Sequence, residues 1–329
     1  MSHQAKAKVL VLGWYGHGNL GDESFRASFK GLWPQCDFDF MDHVPEDLST
    51  YKACMVGGGS FLDQTMHGID RINIPTAFVG VGVGGHVSEG FNRLLCTSKA
   101  IILRDDFSAH KLPGVLDQSK IKVVSDLFYS RNPDSVPKWR GTSKTVSVFL
   151  SEHLAPKSNT SPDWKDVGWH KFVKDMSLIL DDLCHRGFEI NFIPFSITKH
   201  HDDRLAAAAV VSRMVYGHRC NWYFNEFSEA EVLEIIASSR LVISTRLHGM
   251  IFASSVGCPF IAVCGHDKAH AIAKSNGWNH AVSMYGMDYQ KVIESVDELV
   301  FNPQKSNLDG KFKLWHAASE FVAAKLSLS

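Results

Sequence analysis

Short apolar runs recur along the chain, and most of them stop at Gly, Ser, Asp or Arg. In the first half, residues 8–12, 53–56, 77–83, 99–103 and 121–124 read as buried strands. Residues 36–40 alternate polar and apolar, as a strand with one wet face does. In the second half, strands are expected at 145–150, 188–195, 221–224, 241–243 and 261–264, the last being the final clear one. Phe172, Val173, Met176, Ile179, Leu180 and Leu183 recur at helical spacing. Further helices are expected at 206–214, 229–237 and 249–255, the last stopped by Gly257 and Pro259. Near the C-terminus, Leu314, Trp315, Ala318, Phe321, Val322 and Leu326 share one helix face. Strands alternating with helices imply parallel sheets covered on both faces. Residues 130–143 lack apolar periodicity and are rich in Pro, Asn, Asp, Ser and Lys, so they read as a linker. The expected fold is α/β, with two Rossmann-like parallel-sheet domains facing a cleft. The first domain spans 1–135, the second 136–310, and a C-terminal helix at 311–329 is expected to pack back on the first.

Polar chemistry gathers where the strands end, the edge at which open α/β sheets bind ligands. In Ser244-Thr245-Arg246-Leu247-His248-Gly249, Arg246 and His248 fall between a strand and a helix. The helix amino terminus adds unpaired N–H groups and partial positive charge, which favour an anion. Arg246 offers a planar fork for carboxylate or phosphate, and Lys268 a second positive charge that can swing in. The plainer alternative is a capped carbonyl and a surface ion pair, since spacing alone cannot show convergence. Near the N-terminus, Gly13, Gly16, Gly18 and Gly21 with Asn19 and Asp22 form a loop that turns sharply and opens a helix near Asp22. This is no Walker loop, and its G-x-G-x-x-G lacks the acid that ribose binding requires. Asp22 reads either as a ligand contact or as the helix N-cap. Gly57-Gly58-Gly59 either hold backbone donors open to a ligand or make a turn that only Gly fits. Asp63 and His86, also at strand ends, read equally as ligand contacts or polar loop residues. The run His200-His201-Asp202-Asp203 has ligand-like types, but neighbours in an extended loop point apart, so a solvated loop is expected and no metal site. His266 and His270, flanking Lys268, read as surface or supporting groups.

Composition narrows the classes of function. Hydrophobic residues make up 45% and charged residues 21% of 329, values of a globular protein with room for two cores. A formal net charge of -1 gives no basic field, so nucleic acid is not an expected partner, except as a modified base serving as acceptor. Seven cysteines without a CxxC pair suggest reduced thiols and a cytoplasmic protein. No apolar run approaches the ~20 residues of a membrane span, and the start of the chain lacks a signal-peptide core. The sequon Asn159-Thr160-Ser161 is then expected to be idle. Nothing in the sequence fixes an oligomeric state.

Two stretches together resemble a known family. Gly13-Trp14-Tyr15-Gly16 followed by Asn19, Gly21, Asp22 and Glu23 is similar to the opening signature of the polysaccharide pyruvyl transferases. The segment from Ser244 through Phe260, with Lys268 beyond, resembles their C-terminal signature, and Gly57-Gly58-Gly59 and Arg104-Asp105 with Ser108 also match. The family often has a tyrosine just before the lysine, where this chain has Cys264, Gly265 and His266. The resemblance implies a glycosyltransferase-B-like fold and transfer of a pyruvyl group from phosphoenolpyruvate to two sugar hydroxyls as a ketal. It implies a donor site of Arg104, Arg246, His248, Gly249 and Lys268, with Arg246, His248 and Lys268 catalytic. Asn19, Asp22, Gly58, Gly59, Asp63 and His86 are the expected acceptor contacts. The expected partners are a small-molecule donor and a saccharide, with no cofactor beyond phosphoenolpyruvate as co-substrate. Two alternatives stand beside it: a glycosyltransferase of the same fold using a nucleotide-sugar, and a sugar- or phosphate-binding module without catalysis.

Overall fold

The computed structural model describes residues 6–83, 85–151, 162–198, 201–265, 267–301 and 308–328, with the backbone alone for 162–167, 267, 268 and 301. The chain divides into two compact units. One comprises Met1–Gly18, Asp22–Ser135 and Leu308–Ser329; the other comprises Asn19–Gly21 and Val136–Asn307.

In the first unit, β1 (Ala7–Leu12), β2 (Cys36–Met41), β3 (Ala53–Gly57), β4 (Thr76–Val81), β5 (Ala100–Leu103) and β6 (Ile121–Val123) form one parallel sheet, ordered β2-β1-β3-β4-β5-β6. β3, β4 and β5 are buried along their whole lengths, which is why they read as unbroken apolar runs. β2 lies at the sheet edge and alternates. Strand order reverses between β1 and β3, so the loops after these two strands leave at a topological switch point. Helices α1 (Leu20–Leu32), α2 (Glu89–Thr97) and the single turn α3 (Asp106–Ala109) belong to this half of the chain.

The second unit repeats the plan. Strands β7 (Thr145–Phe149), β8 (Glu189–Phe192), β9 (Cys220–Trp222), β10 (Leu241–Ser244), β11 (Phe260–Cys264) and β12 (Ala281–Ser283) run parallel in the order β12-β11-β10-β7-β8-β9. Its helices are α4 (Pro162–His185), α5 (Asp203–Val211), α6 (Glu229–Ser238), α7 (Leu247–Val256), α8 (Asp267–Ser275) and α9 (Tyr289–Phe301). The core interleaves Val146, Val148 and Ile243 of the sheet with Phe172, Met176, Ile179 and Leu183 of α4. Here the switch point lies between β7 and β10.

The last helix, α10 (Leu308–Leu326), packs on the first unit. Trp315 is fully buried, and its Nε1 donates to Ser125 Oγ and to the Asp126 carbonyl, both at 3.0 Å. The β4–β5 register shifts between Val79 and Val81. Gly80 occupies the shift at φ +66°, and a Cβ there would stand 2.9 Å from Leu127 Cβ and 3.3 Å from Trp315 Cη2. Only glycine accommodates both demands.

Several expected boundaries move, for stated reasons. β4 ends at Val81 and β8 at Phe192, short of the apolar runs, because Val83, Ile193 and Phe195 stay buried after strand pairing stops. β9 ends at Trp222, and Phe224 is exposed. The polar run before α5 is not wholly loop: Asp202 caps the helix and Asp203 starts it. α1 opens at Leu20, so Asp22 lies in its first turn and is not the cap; Asn19 Oδ1 instead accepts from the Gly21 N–H at 3.2 Å. β12 and α9 follow the strand at 261–264 that was expected to be the last. β12 is three half-buried residues, too short to show a pattern.

Candidate functional site

At the second switch point, β10 ends at Ser244 and α7 begins at Leu247, leaving Thr245 and Arg246 to make the turn. The Thr245 N–H donates to the Phe149 carbonyl at 2.8 Å, and the Ser151 N–H donates to Thr245 Oγ1 at 2.9 Å. These bonds tie the turn to the end of β7. Ser244 Oγ donates to the Arg246 carbonyl at 2.8 Å, and a Cβ on Gly249 would overlap that hydroxyl. Glycine therefore lets the first turn of α7 sit close against β10.

Arg246 is the N-cap of α7, yet its side chain makes no cap bond. It reaches Asp203 instead. Arg246 Nε donates to both Asp203 oxygens, at 3.2 and 3.0 Å, and Nη2 donates to Oδ1. Asp203 is buried, and its Oδ2 also accepts from the N–H groups of Phe195 and Ser196, at 3.0 and 3.1 Å. Burial pushes the Asp203 carboxyl above its ordinary pKa, while the Arg246 charge and the hydrogen bonds pull it back. The pair fixes the guanidinium as a rigid feature of the sheet edge.

His248 lies in the first turn of α7, with its ring 6.4 Å from that of Phe252. A Cβ on Gly21 would overlap the imidazole. Asn19–Gly21 of the N-terminal motif are themselves part of the second unit. The Leu20 N–H donates to the Phe195 carbonyl at 2.9 Å, and Asn19 bridges Ser196. Asn19 and Gly21 thus stand beside His248 and Asp203's backbone partners. The Lys268 side chain and His266 lie outside the described residues; the Lys268 backbone is in the first turn of α8.

In the first unit, Arg104 follows β5 and is buried. Its Nη2 donates to Ser60 Oγ at 2.7 Å and its Nε to Asp105 Oδ2 at 3.3 Å, while Nη1 lies 3.7 Å from Asp126 Oδ2. A Cβ on Gly82 would overlap the guanidinium. Asp105 also caps α3 through the Ser108 N–H, at 2.7 Å. Two carboxylates therefore face the Arg104 charge.

The glycine triple answers a packing demand. Gly58 and Gly59 take φ of +73° and +78°, and Cβ atoms on Gly57 and Gly58 would overlap Phe29 and Phe25 of α1. The Gly58 N–H donates to the Val79 carbonyl at 3.0 Å, so it is not held open to a ligand. Asp22 Oδ1 stands 3.0 Å from where a Gly59 Cβ would lie, which brings these two expected acceptor contacts together. Asp63 and His86 are exposed, and neither forms a hydrogen bond with another described residue.

Sequence reasoning missed Asp203, Ser60 and Asp126 as partners of the two arginines. The one available signal was an acid opening an alanine-rich helix just after a strand. His200 and the sequon at 159–161 lie outside the described residues. Among the described residues, no group of three or more His, Cys, Asp or Glu is placed to hold a metal ion, and no helix is long and apolar enough to cross a membrane.

The family model described as polysaccharide pyruvyl transferase matches residues 19–267. The amylovoran biosynthesis protein AmsJ of Erwinia amylovora is 22% identical over 73% of this chain, and the match spans 63% of that relative's length. Pyruvyl transferase 1 of Schizosaccharomyces pombe is 22% identical over 88% of this chain and 74% of its own. Among solved structures, UDP-GlcNAc 2-epimerase of Methanocaldococcus jannaschii gives a TM-score of 0.58 at 11% identity, over 96% of this chain and 99% of that one. MnaA of S. aureus, solved with UDP, also gives 0.58 at 11% identity, over 99% and 98%. These structural likenesses concern the fold, two Rossmann-like sheets of glycosyltransferase-B type.

Proposed function

Because the chain belongs to the polysaccharide pyruvyl transferase family, we propose that it transfers a pyruvyl group from phosphoenolpyruvate to two hydroxyls of a saccharide as a cyclic ketal. The observation that carries this reading is Arg246, held rigid by buried Asp203 at the amino terminus of α7, with His248 two residues on. Phosphoenolpyruvate carries a carboxylate and a phosphate close together, and a guanidinium at a helix amino terminus suits such an anion.

In this reading Arg246 holds an acidic group of the donor, and Gly249 keeps the helix backbone close. The Arg246 guanidinium faces the Asp203 carboxylate, so it acts through directed hydrogen bonds more than through net charge. Neutralising the departing phosphate falls to Lys268. His248 either donates to the phosphate or supplies the proton that the methylene carbon takes, since an imidazole titrates near neutrality. Protonation leaves a cationic C2, which the first sugar hydroxyl attacks with loss of its proton. The second hydroxyl then expels inorganic phosphate and closes the ketal. Asp22, Gly59, Asp63 and His86 of the first unit form the acceptor side, with Asp22 and Gly59 its paired part. The seven cysteines, all free thiols, support a cytoplasmic setting.

Phosphate release from phosphoenolpyruvate, measured with a saccharide panel, tests the reading. His248→Ala and Lys268→Ala are each expected to lower the rate by about a hundredfold or more. Near-wild-type rates for both variants overturn it. Turnover of a nucleotide-sugar without phosphoenolpyruvate would instead make the protein a glycosyltransferase.

A further inference from the structure

Three sulfur atoms meet in the second unit, where α4 ends and β9 begins. Cys184 lies in the last turn of α4 and is fully buried. Cys220 is the first residue of β9 and is half-buried, as is Met214 in the turn after α5. Cys184 and Cys220 share a thiol hydrogen bond, and Cys220 Sγ stands 3.9 Å from Met214 Sδ. Each sulfur is fixed by its own segment. Asp181, three residues before Cys184 on α4, accepts from the N–H groups of Val215 and Tyr216 at 2.9 and 2.8 Å. That holds the Met214 turn against the helix. Arg219 Nη1 donates to the Cys184 carbonyl at 2.5 Å, which ties the residue before Cys220 to the end of α4. Cys220 itself is placed by pairing with Ile190 of β8.

We propose that Cys184, Cys220 and Met214 form a binding site for a soft monovalent cation of the Cu(I) type. Two thiolates and a thioether are the ligand types that select such an ion. With metal–sulfur bonds of about 2.3 Å, three sulfurs around a trigonal ion stand about 4 Å apart. The Cys220–Met214 separation of 3.9 Å already meets that spacing. Zinc suits the set poorly, because a structural zinc site takes four ligands from Cys, His and carboxylate, and only two of the three groups here qualify. The Asp181 carboxylate, whose charge both thiols feel, is engaged with the backbone N–H groups of the turn. Burial pushes both thiols up, Cys220 to about 12, so neither is a ready nucleophile for disulfide exchange. A bound cation reverses that balance: coordination deprotonates a thiol outright, and the ion's charge offsets the repulsion between neighbouring thiolates. Two thiolates and one Cu(I) leave a single negative charge, and the Arg219 charge that draws the Cys184 pKa down opposes it. The neighbouring imidazoles are His185 and His218, with rings 6.3 and 6.2 Å from that of Tyr216. The thioether carries no proton, so two thiol protons leave to solvent as the ion enters from the half-buried side. The inference goes beyond the pyruvyl-transfer reading and does not rest on it.

Competition for Cu(I) between the full chain and a chromogenic Cu(I) chelator, under a non-thiol reductant, tests the proposal. Cys96 is exposed and is replaced by Ser in every sample, so that a surface thiol is not counted. One ion per chain is expected, with about two protons released per ion and tighter binding as pH rises. Cys220→Ser is expected to weaken binding by more than about a hundredfold, beyond the roughly 10–100-fold that follows loss of an outer contact. Met214→Leu keeps the bulk and removes the sulfur, and is expected to weaken binding by about tenfold. Should Cys220→Ser not fold, the X-ray absorption spectrum of the Cu(I)-loaded parent takes its place, with three sulfur neighbours expected at about 2.3 Å. The proposal is overturned if the chain does not compete with the chelator, or if a folded Cys220→Ser or Met214→Leu binds as tightly as the parent. Nitrogen or oxygen neighbours in place of the sulfurs overturn it too, as does a chain that holds Zn(II) and not Cu(I).

Discussion

Arg246 and Asp203 form a buried ion pair across 43 positions of sequence, with side chains 11% and 3% exposed. The pair aims the guanidinium of one sheet edge from the first residue of a neighbouring helix. Breaking a buried pair strands a charge, at a cost of about 3–5 kcal/mol. Asp203→Ala also deprives the Phe195 and Ser196 N–H groups of their acceptor. It is expected to lose stability on that scale in denaturant titration and to lose phosphate release as well. Asp203→Asn retains the shape and is expected to lose less of each.

Gly21 is fixed by the imidazole beside it. A Cβ at this position would overlap the His248 ring. Gly21→Ala is expected to displace His248 and lower phosphate release by about tenfold or more, at a stability cost of about 1–3 kcal/mol. Far-UV circular dichroism with the rate assay separates the two effects: an unchanged rate in a folded variant shows that the position of His248 does not matter.

Lys311 of α10 lies with its Nζ 3.6 Å from the centroid of the Tyr129 ring, and burial pulls its pKa down to about 8 against the opposing pull of Asp126. An unfolded lysine titrates near 10.4. Between about pH 8 and pH 10.4 the unfolded chain therefore binds more protons at this site, so its contribution to stability rises with pH. Lys311→Met removes that slope. The stability difference between variant and wild type is expected to shift in favour of wild type as pH climbs from 8 to 10, read from denaturation midpoints at each pH. Parallel curves refute the assignment.

Trp315 anchors α10 on the first unit. It is fully buried, and its indole N–H is shared between Ser125 Oγ and the Asp126 carbonyl. Trp315→Ala is expected to cost about 3–5 kcal/mol in urea titration. Trp315→Phe keeps much of the packing and removes only the indole donor, the Asp126 carbonyl still accepting from the Tyr129 N–H at 3.1 Å, and is expected to cost less.

The sequence alone carried the architecture. Strands buried on both faces must be apolar throughout, so β1, β3, β4, β5, β10 and β11 announced themselves, as did the parallel sheets that alternating helices imply. Glycines with positive φ or a close neighbour also marked their places, at Gly58, Gly59 and Gly257. The strand-to-helix junction at Arg246 and His248 was legible for the same local reason. What tertiary structure decided was which group each of those side chains meets. Asp203 for Arg246, Ser60 and Asp126 for Arg104, and Gly21 for His248 are all distant in sequence, and no periodicity encodes such pairings. The glycine triple shows the same division: the sequence required a residue without a Cβ, and only packing showed that α1, not a ligand, fills the space beside Gly57 and Gly58.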